Sequence, residues 1–399
     1  MIKKIFLTAF LTVFVLEHVF PGISISILPG VNLQNVILFS CGVFLLITEV
    51  ASGRLIHKSI PTLFFSTFII IWCLISFCYG RLSGVVAVPP LMDHLRDFKS
   101  QLIVPIIFFI FGFLLSDSEK ESRANLVIII IVFSIINFLS LTNLFGVSGG
   151  YEIHESNRFR TVLGNPNKVA YYFCLLLPFI YHLFCHYRKV AAKIFFISLL
   201  VSSAVFILLS GSRGGFICMA LILFYILIVS RNYAFLAALI AVSPFVLWLL
   251  WDNTNLGVTF ERFAPILSGE MESSTTGRFT IWLALWNVYT ANFTTILYGV
   301  GANLITSVGL KSAPHNMYLK VLVEYGLIGF CIFGFFLLRI LHAIISKKKD
   351  AKSDLMPIML LSSLVICIAW CFTTLVGIMD MVSFTYGSAL AYYLHYRKL

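Results

Sequence analysis

Apolar residues fall in long runs broken by short polar stretches, near 5–20, 31–50, 60–79, 101–116, 124–145, 168–186, 193–210, 215–230, 232–251, 316–343, 355–376 and 379–396. A helix needs roughly 20 apolar residues to cross a bilayer, and the shorter runs suit tilted or broken helices. The pattern predicts an all-α polytopic membrane protein, a single integral membrane domain over residues 1–399 with about twelve transmembrane helices. Lys3 and Lys4 before the first run resemble a signal peptide only superficially. No small-residue cleavage site follows, so a retained first helix is expected.

Three polar stretches are long enough to matter. Gly80 to Ser100 predicts a turn and a short surface helix, and residues 146–168 form a second loop. The third, residues 252–314, is far longer than the connections usual between packed elements, which marks it as functional or disordered. Within it, Thr275 and Thr276 are placed to cap a helix from about Gly277 to Tyr289. Phe279, Trp282, Leu283, Trp286 and Tyr289 recur there at three- and four-residue spacing, giving one apolar face. Such a helix suits the membrane interface, as a roof over the bundle or as a stabilising brace.

Composition agrees with the pattern. With 60% hydrophobic and 11% charged residues and a mean hydropathy of +0.98, a water-soluble chain of this length is excluded. The net charge of +11 does not call for nucleic acid, because basic cytoplasmic loops produce it in membrane proteins. An N-terminus inside puts Lys3, Lys4, Arg54, Lys58, Arg188, Lys189, Lys347–Lys349, Arg397 and Lys398 in the cytoplasm, with the C-terminus also inside. Arg81, Arg96, Lys99, Arg158, Arg160, Lys168, Arg213, Arg262, Arg278 and Lys311 then fall at the outer face. Headgroup contact or pairing with Asp93, Glu152, Glu155, Glu261, Glu270 and Glu272 accounts for most of them. An anionic substrate handled outside is the sharper alternative. The nine cysteines lie within or at the edges of apolar runs, with no C-x-x-C pair, and predict neither a disulfide framework nor a zinc site.

Candidate chemistry collects at three places. In Ser210-Gly211-Ser212-Arg213-Gly214-Gly215 one helix must end and another begin, near Gly214. Gly211, Gly214 and Gly215 permit a tight turn, and the new helix offers N–H groups to an anion beside Arg213. A tight turn with a snorkelling arginine fits equally. Arg278 opens the aromatic helix, an anion-binding position or a solvated loop arginine. His315 and Asn316 stand where a polar loop meets the run at 316–343. Lys320 and Glu324, four apart within that run, suggest a neutralising pair, and His182 a satisfied bundle histidine.

His315-Asn316, nine intervening residues, then Gly326-Leu327-Ile328-Gly329 resembles the signature of the bacterial O-antigen ligase and O-antigen polymerase superfamily. The S-R-G element at Arg213, the arginine and aromatic in TGRFTIW at Arg278, and Gly164-Asn165-Pro166-Asn167 resemble further motifs of the same family, over residues 158–329. The resemblance implies an enzyme moving a glycan from undecaprenyl diphosphate at the periplasmic face of the inner membrane. The acceptor would be lipid A-core for a ligase or a second lipid-linked glycan for a polymerase. By the same resemblance Arg213 and Arg278 would hold the diphosphate, with Arg158 and Arg160 competing for a further contact. His315 would serve the acceptor hydroxyl, supported by Asn316.

Such chemistry needs charge stabilisation on the leaving group and a base for the attacking hydroxyl. No D-x-D or metal-ligand spacing occurs in the outer loops and no Walker element in the chain, so a reaction without metal, ATP or other cofactor is expected. For His315 three roles remain open: general base, helix cap, or donor to the diphosphate. Beyond membrane lipids and the glycan substrates, no nucleic-acid partner is expected. A transporter or flippase would also carry many helices, but it favours charge at the bilayer midplane, whereas here polar residues collect outside.

Overall fold

The computed structural model describes residues 26–28, 31–51, 60–115, 166–230, 278–308 and 314–346, with scattered helical residues in 121–135, 237–248 and 361–371. Arg158, Arg160, Lys311, Leu163–Asn165, Thr275, Thr276 and the expected spans at 5–20 and 379–396 lie outside the described residues, as does most of the loops at 146–168 and 252–314.

In chain order, a short antiparallel hairpin comes first: β1 (Ser26–Leu28) and β2 (Val31–Asn32), with Leu28 opposite Val31. It is a small departure from the all-helical expectation. The helices are α1 (Leu33–Ala51), α2 (Ile60–Leu82), α3 (Leu91–Phe98), α4 (Val104–Leu114), α5 (Pro166–His186), α6 (Val190–Leu209), α7 (Arg213–Ser230), α8 (Arg278–Tyr289), α9 (Phe293–Tyr298) and α10 (Met317–Ser346). A π-turn at Lys99–Ile103 joins α3 to α4.

Among the described residues four helices are long and apolar enough to cross a membrane: Leu91–Leu114, Val169–His186, Val190–Leu209 and Met317–Leu338. Thr67–Leu82 and Arg213–Ile226 are apolar but shorter. Ile71, Ile194, Phe224 and Leu338 are exposed on these helices. In water each would forgo up to about 1.5–3 kcal/mol of burial, a cost that lipid removes. The chain is an integral membrane protein.

One expectation needs correction. The polar stretch at Gly80–Ser100 does not end in a separate surface helix, because α3, the π-turn and α4 form one continuous 24-residue helix. The π-turn absorbs the change of face. His94 and Phe98 are buried, while Asp93 and Arg96 pair outside at 3.7 Å.

The contacts divide the chain into two compact units. Met1–Ile136, Thr280–Lys349 and Thr374–Leu399 form the first, Asn137–Phe279 and Asp350–Thr373 the second. In the first unit, Cys73, Phe77, Phe98, Ala302, Val321 and Tyr325 make one core cluster. Leu285, Tyr289, Val300, Leu304, Ile305 and Val323 make another. In the second, α5 is the central helix: Tyr171, Cys174, Ile180 and Leu183 are buried on it, and Phe173 stacks on Phe206 of α6 at 5.0 Å.

Candidate functional site

In the second unit α6 ends at Leu209 and α7 starts at Arg213, one residue before the expected Gly214. Gly211 takes φ +59, which a glycine adopts without strain. Ser212 then caps α7: its hydroxyl accepts the Gly215 N–H at 3.2 Å. The cap therefore occupies one of the amide donors that an anion would otherwise use. Gly215 lies against Ala170 of α5, where a Cβ would overlap, and its carbonyl accepts from the Cys174 thiol at 3.2 Å. Ser210, Gly211, Ser212 and Gly215 are buried, while Arg213 and Gly214 are half-buried.

The buried Tyr171 hydroxyl hydrogen-bonds the Ser212 side chain and lies within electrostatic reach of Arg278. Arg278 is the first residue of α8, as expected, and is half-buried. Two of the four expected phosphate-binding arginines thus stand at helix starts, where backbone N–H groups favour anions. Pro166 begins α5 at the first helical position, where its missing N–H costs nothing.

In the first unit the chain enters α10 through Pro314, His315 and Asn316. Pro314 is buried, and its carbonyl accepts the Trp282 indole N–H at 2.7 Å. His315 has φ +48, a left-handed conformation that costs a non-glycine residue roughly 1–3 kcal/mol. Asn316 follows as the cap, its side-chain oxygen accepting the Leu319 N–H at 3.0 Å. Of the three roles open to His315, the cap therefore belongs to its neighbour.

α10 is two helices in one run. At Gly326 the backbone leaves helical geometry, with φ 67 and ψ −174. The freed carbonyls are taken by the segment after α9: Val300 N–H donates to Val323 O at 2.8 Å and Gly301 N–H to Glu324 O at 3.0 Å. The Ser76 hydroxyl also donates to Glu324 O, at 3.2 Å. This gives the first glycine of the Gly-Leu-Ile-Gly element its physical reason.

Around that break lies a buried polar group. The Lys320 ammonium donates to Gln101 in the π-turn at 2.6 Å and stands 3.8 Å from the Glu324 carboxylate. Glu324 also accepts the Ile305 N–H at 3.4 Å. The pair expected from sequence exists, but it is a three-residue network that fastens two distant segments to α10. Nearby, His94 is fully buried and donates from Nε2 to Ala302 O at 2.6 Å. A carbonyl can only accept, so Nδ1 is the bare nitrogen that meets Arg81 at 3.4 Å. Arg81, grouped with the outer cations by sequence, thus serves a structural histidine.

The aromatic helix α8 differs from its expected single face. Leu285 and Tyr289 are buried, Trp282 is half-buried, and Phe279, Leu283 and Trp286 are exposed. It is apolar on both sides, with Trp282 between them. Sequence reading missed the Trp282 hydrogen bond, the Ser212 cap and Gln101. For Ser212 the signal was present, a serine three residues before the glycine it caps; for the other two no local signal exists.

None of the curated proteins compared with the chain matches it. Residues 174–334 match the family model described as O-antigen ligase, a segment that takes in Arg213, Arg278 and all of His315–Gly329, and over that segment the chain is similar to the O-antigen ligase superfamily.

Proposed function

We propose that this chain is a glycan transferase of the O-antigen ligase type, working at the periplasmic face of the inner membrane. It moves an oligo- or polysaccharide from undecaprenyl diphosphate to a hydroxyl of lipid A-core. The observation that carries the reading is the family match over 174–334, which encloses two arginines at helix starts and the histidine turn.

In this reading the acceptor oxygen attacks the anomeric carbon, and the bond from that carbon to the phosphate oxygen breaks. The electron pair leaves with undecaprenyl diphosphate. Arg213 and Arg278 stabilise the charge that develops there, with Arg158 or Arg160 contributing a further contact. His315 takes the proton of the attacking hydroxyl.

Purified His315→Asn tests the assignment. Asn tolerates a left-handed backbone, so the turn keeps its shape. The variant is expected to bind the lipid-linked donor normally and to fail in transfer; near-normal turnover would remove the general-base role. Deletion in the source strain, read on lipopolysaccharide gels, separates the acceptors. Bare core with accumulated lipid-linked polymer marks a ligase, core bearing a single repeat marks a polymerase, and unchanged glycans would overturn both.

A further inference from the structure

His315 sits between two residues that are each held in place. Asn316 behind it caps α10 and accepts the Lys320 N–H through its carbonyl at 3.0 Å. Pro314 ahead of it is buried, and its carbonyl is held by Trp282. With φ +48 at His315, the backbone would relax toward ordinary geometry if either neighbour were released. Pro314 carries no N–H of its own, so its carbonyl is its one strong backbone hydrogen-bonding group. At 2.7 Å the indole bond is short for an N–H donor.

We propose that Trp282 is the positioning residue for His315, its indole N–H holding the left-handed turn from which the imidazole projects at the start of α10. The function follows from geometry: a base must stand within about 3 Å of the proton it removes, and displacement by about 1 Å can cost a hundredfold in rate. Trp282 also lies one turn along α8 from Arg278. The helix whose first residue is assigned to the leaving group therefore also fixes the residue assigned to the acceptor. The inference rests on the reading of His315 given above.

The test compares full-length Trp282→Phe with the parent protein in detergent, since Phe keeps the ring and loses the donor. Turnover is expected to fall about tenfold or more, with the donor KM within about twofold. On the residual slow transfer of a His315→Ala background, followed at high enzyme concentration, the same change should cost at most about twofold. A full additional loss there would overturn the proposal, because Trp282 would then act independently of His315. A second measurement does not depend on transfer: carbethoxylation of His315 by diethyl pyrocarbonate, followed by mass spectrometry. The rate at His315 should rise several-fold in Trp282→Phe while the rate at exposed His342 stays constant. Unchanged His315 reactivity would overturn the proposal even if activity fell. If His315→Ala proved fully active, the base assignment would fail, and the reactivity result would still decide whether Trp282 holds the turn. Should Trp282→Phe not accumulate, benzothienylalanine at 282 replaces the N–H by sulfur in a ring of nearly the same shape and gives the same comparison.

Discussion

Gly299 and Gly326 meet backbone to backbone: a Cβ on Gly326 would lie 2.6 Å from the Gly299 nitrogen, and one on Gly299 would lie 2.7 Å from the Gly326 nitrogen. Both take positive φ, +75 and +67. The contact is what lets the segment after α9 bond the carbonyls released at the break in α10.

Gly326→Ala is therefore expected to destabilise the protein by at least about 2 kcal/mol, through both the disfavoured backbone and the overlap with fixed main chain. Gly334→Ala, further along the same helix with nothing within 4 Å of its Cβ position, should cost nothing. Thermal unfolding in one detergent measures both. Equal melting temperatures for the two variants would contradict this account of the break.

Lys320, Glu324 and Gln101 should behave as one unit. Lys320→Met leaves a fully buried carboxylate without its cation, and such losses typically cost about 3–5 kcal/mol. Adding Glu324→Gln should recover much of that, since the amide oxygen still accepts the Ile305 N–H. A double-mutant cycle on unfolding free energies would show strong coupling; additive losses would mean the 3.8 Å pair is incidental.

Arg213→Ala and Arg278→Ala are each expected to abolish glycan transfer while the protein remains in the membrane. Lysine at either position should restore only part, because an ammonium cannot reproduce the two-pronged guanidinium contact. Normal transfer and donor binding by both alanine variants would remove them from the diphosphate site.

Single cysteines at Ser268 and Ser353, in a background with the native thiols replaced, should react differently with an impermeant reagent in spheroplasts. Ser268 is expected to label and Ser353 to be protected. Equal or reversed labelling would overturn the orientation with loop 252–314 in the periplasm.

How far the sequence reached depends on whether the cause was local. Helix starts were legible at Arg278 and Asn316, because caps and changes of hydropathy act over a few residues. The turn at Ser210–Gly215 was legible for the same reason, to within one residue. The glycine at 326 was legible as a motif but not as a break, because its reason lies in Gly299 and the carbonyls at 323 and 324. Trp282 was assigned to an apolar face because spacing registers the ring and not the N–H. The single-face expectation for α8 failed because the helix has apolar neighbours on one side and an exposed apolar surface on the other.

The π-turn at Lys99–Ile103 can be read as one residue too many in an otherwise regular helix. Removing a single residue, Ser100 for instance, would turn everything before it by about 100° relative to α4. His94 and Phe98 would then rotate out of the first unit's core, or Gln101 would rotate away from Lys320. The segment cannot satisfy both ends without the surplus residue. In any alignment of related chains, this is where a one-residue gap would mark a protein that has given up one of the two attachments.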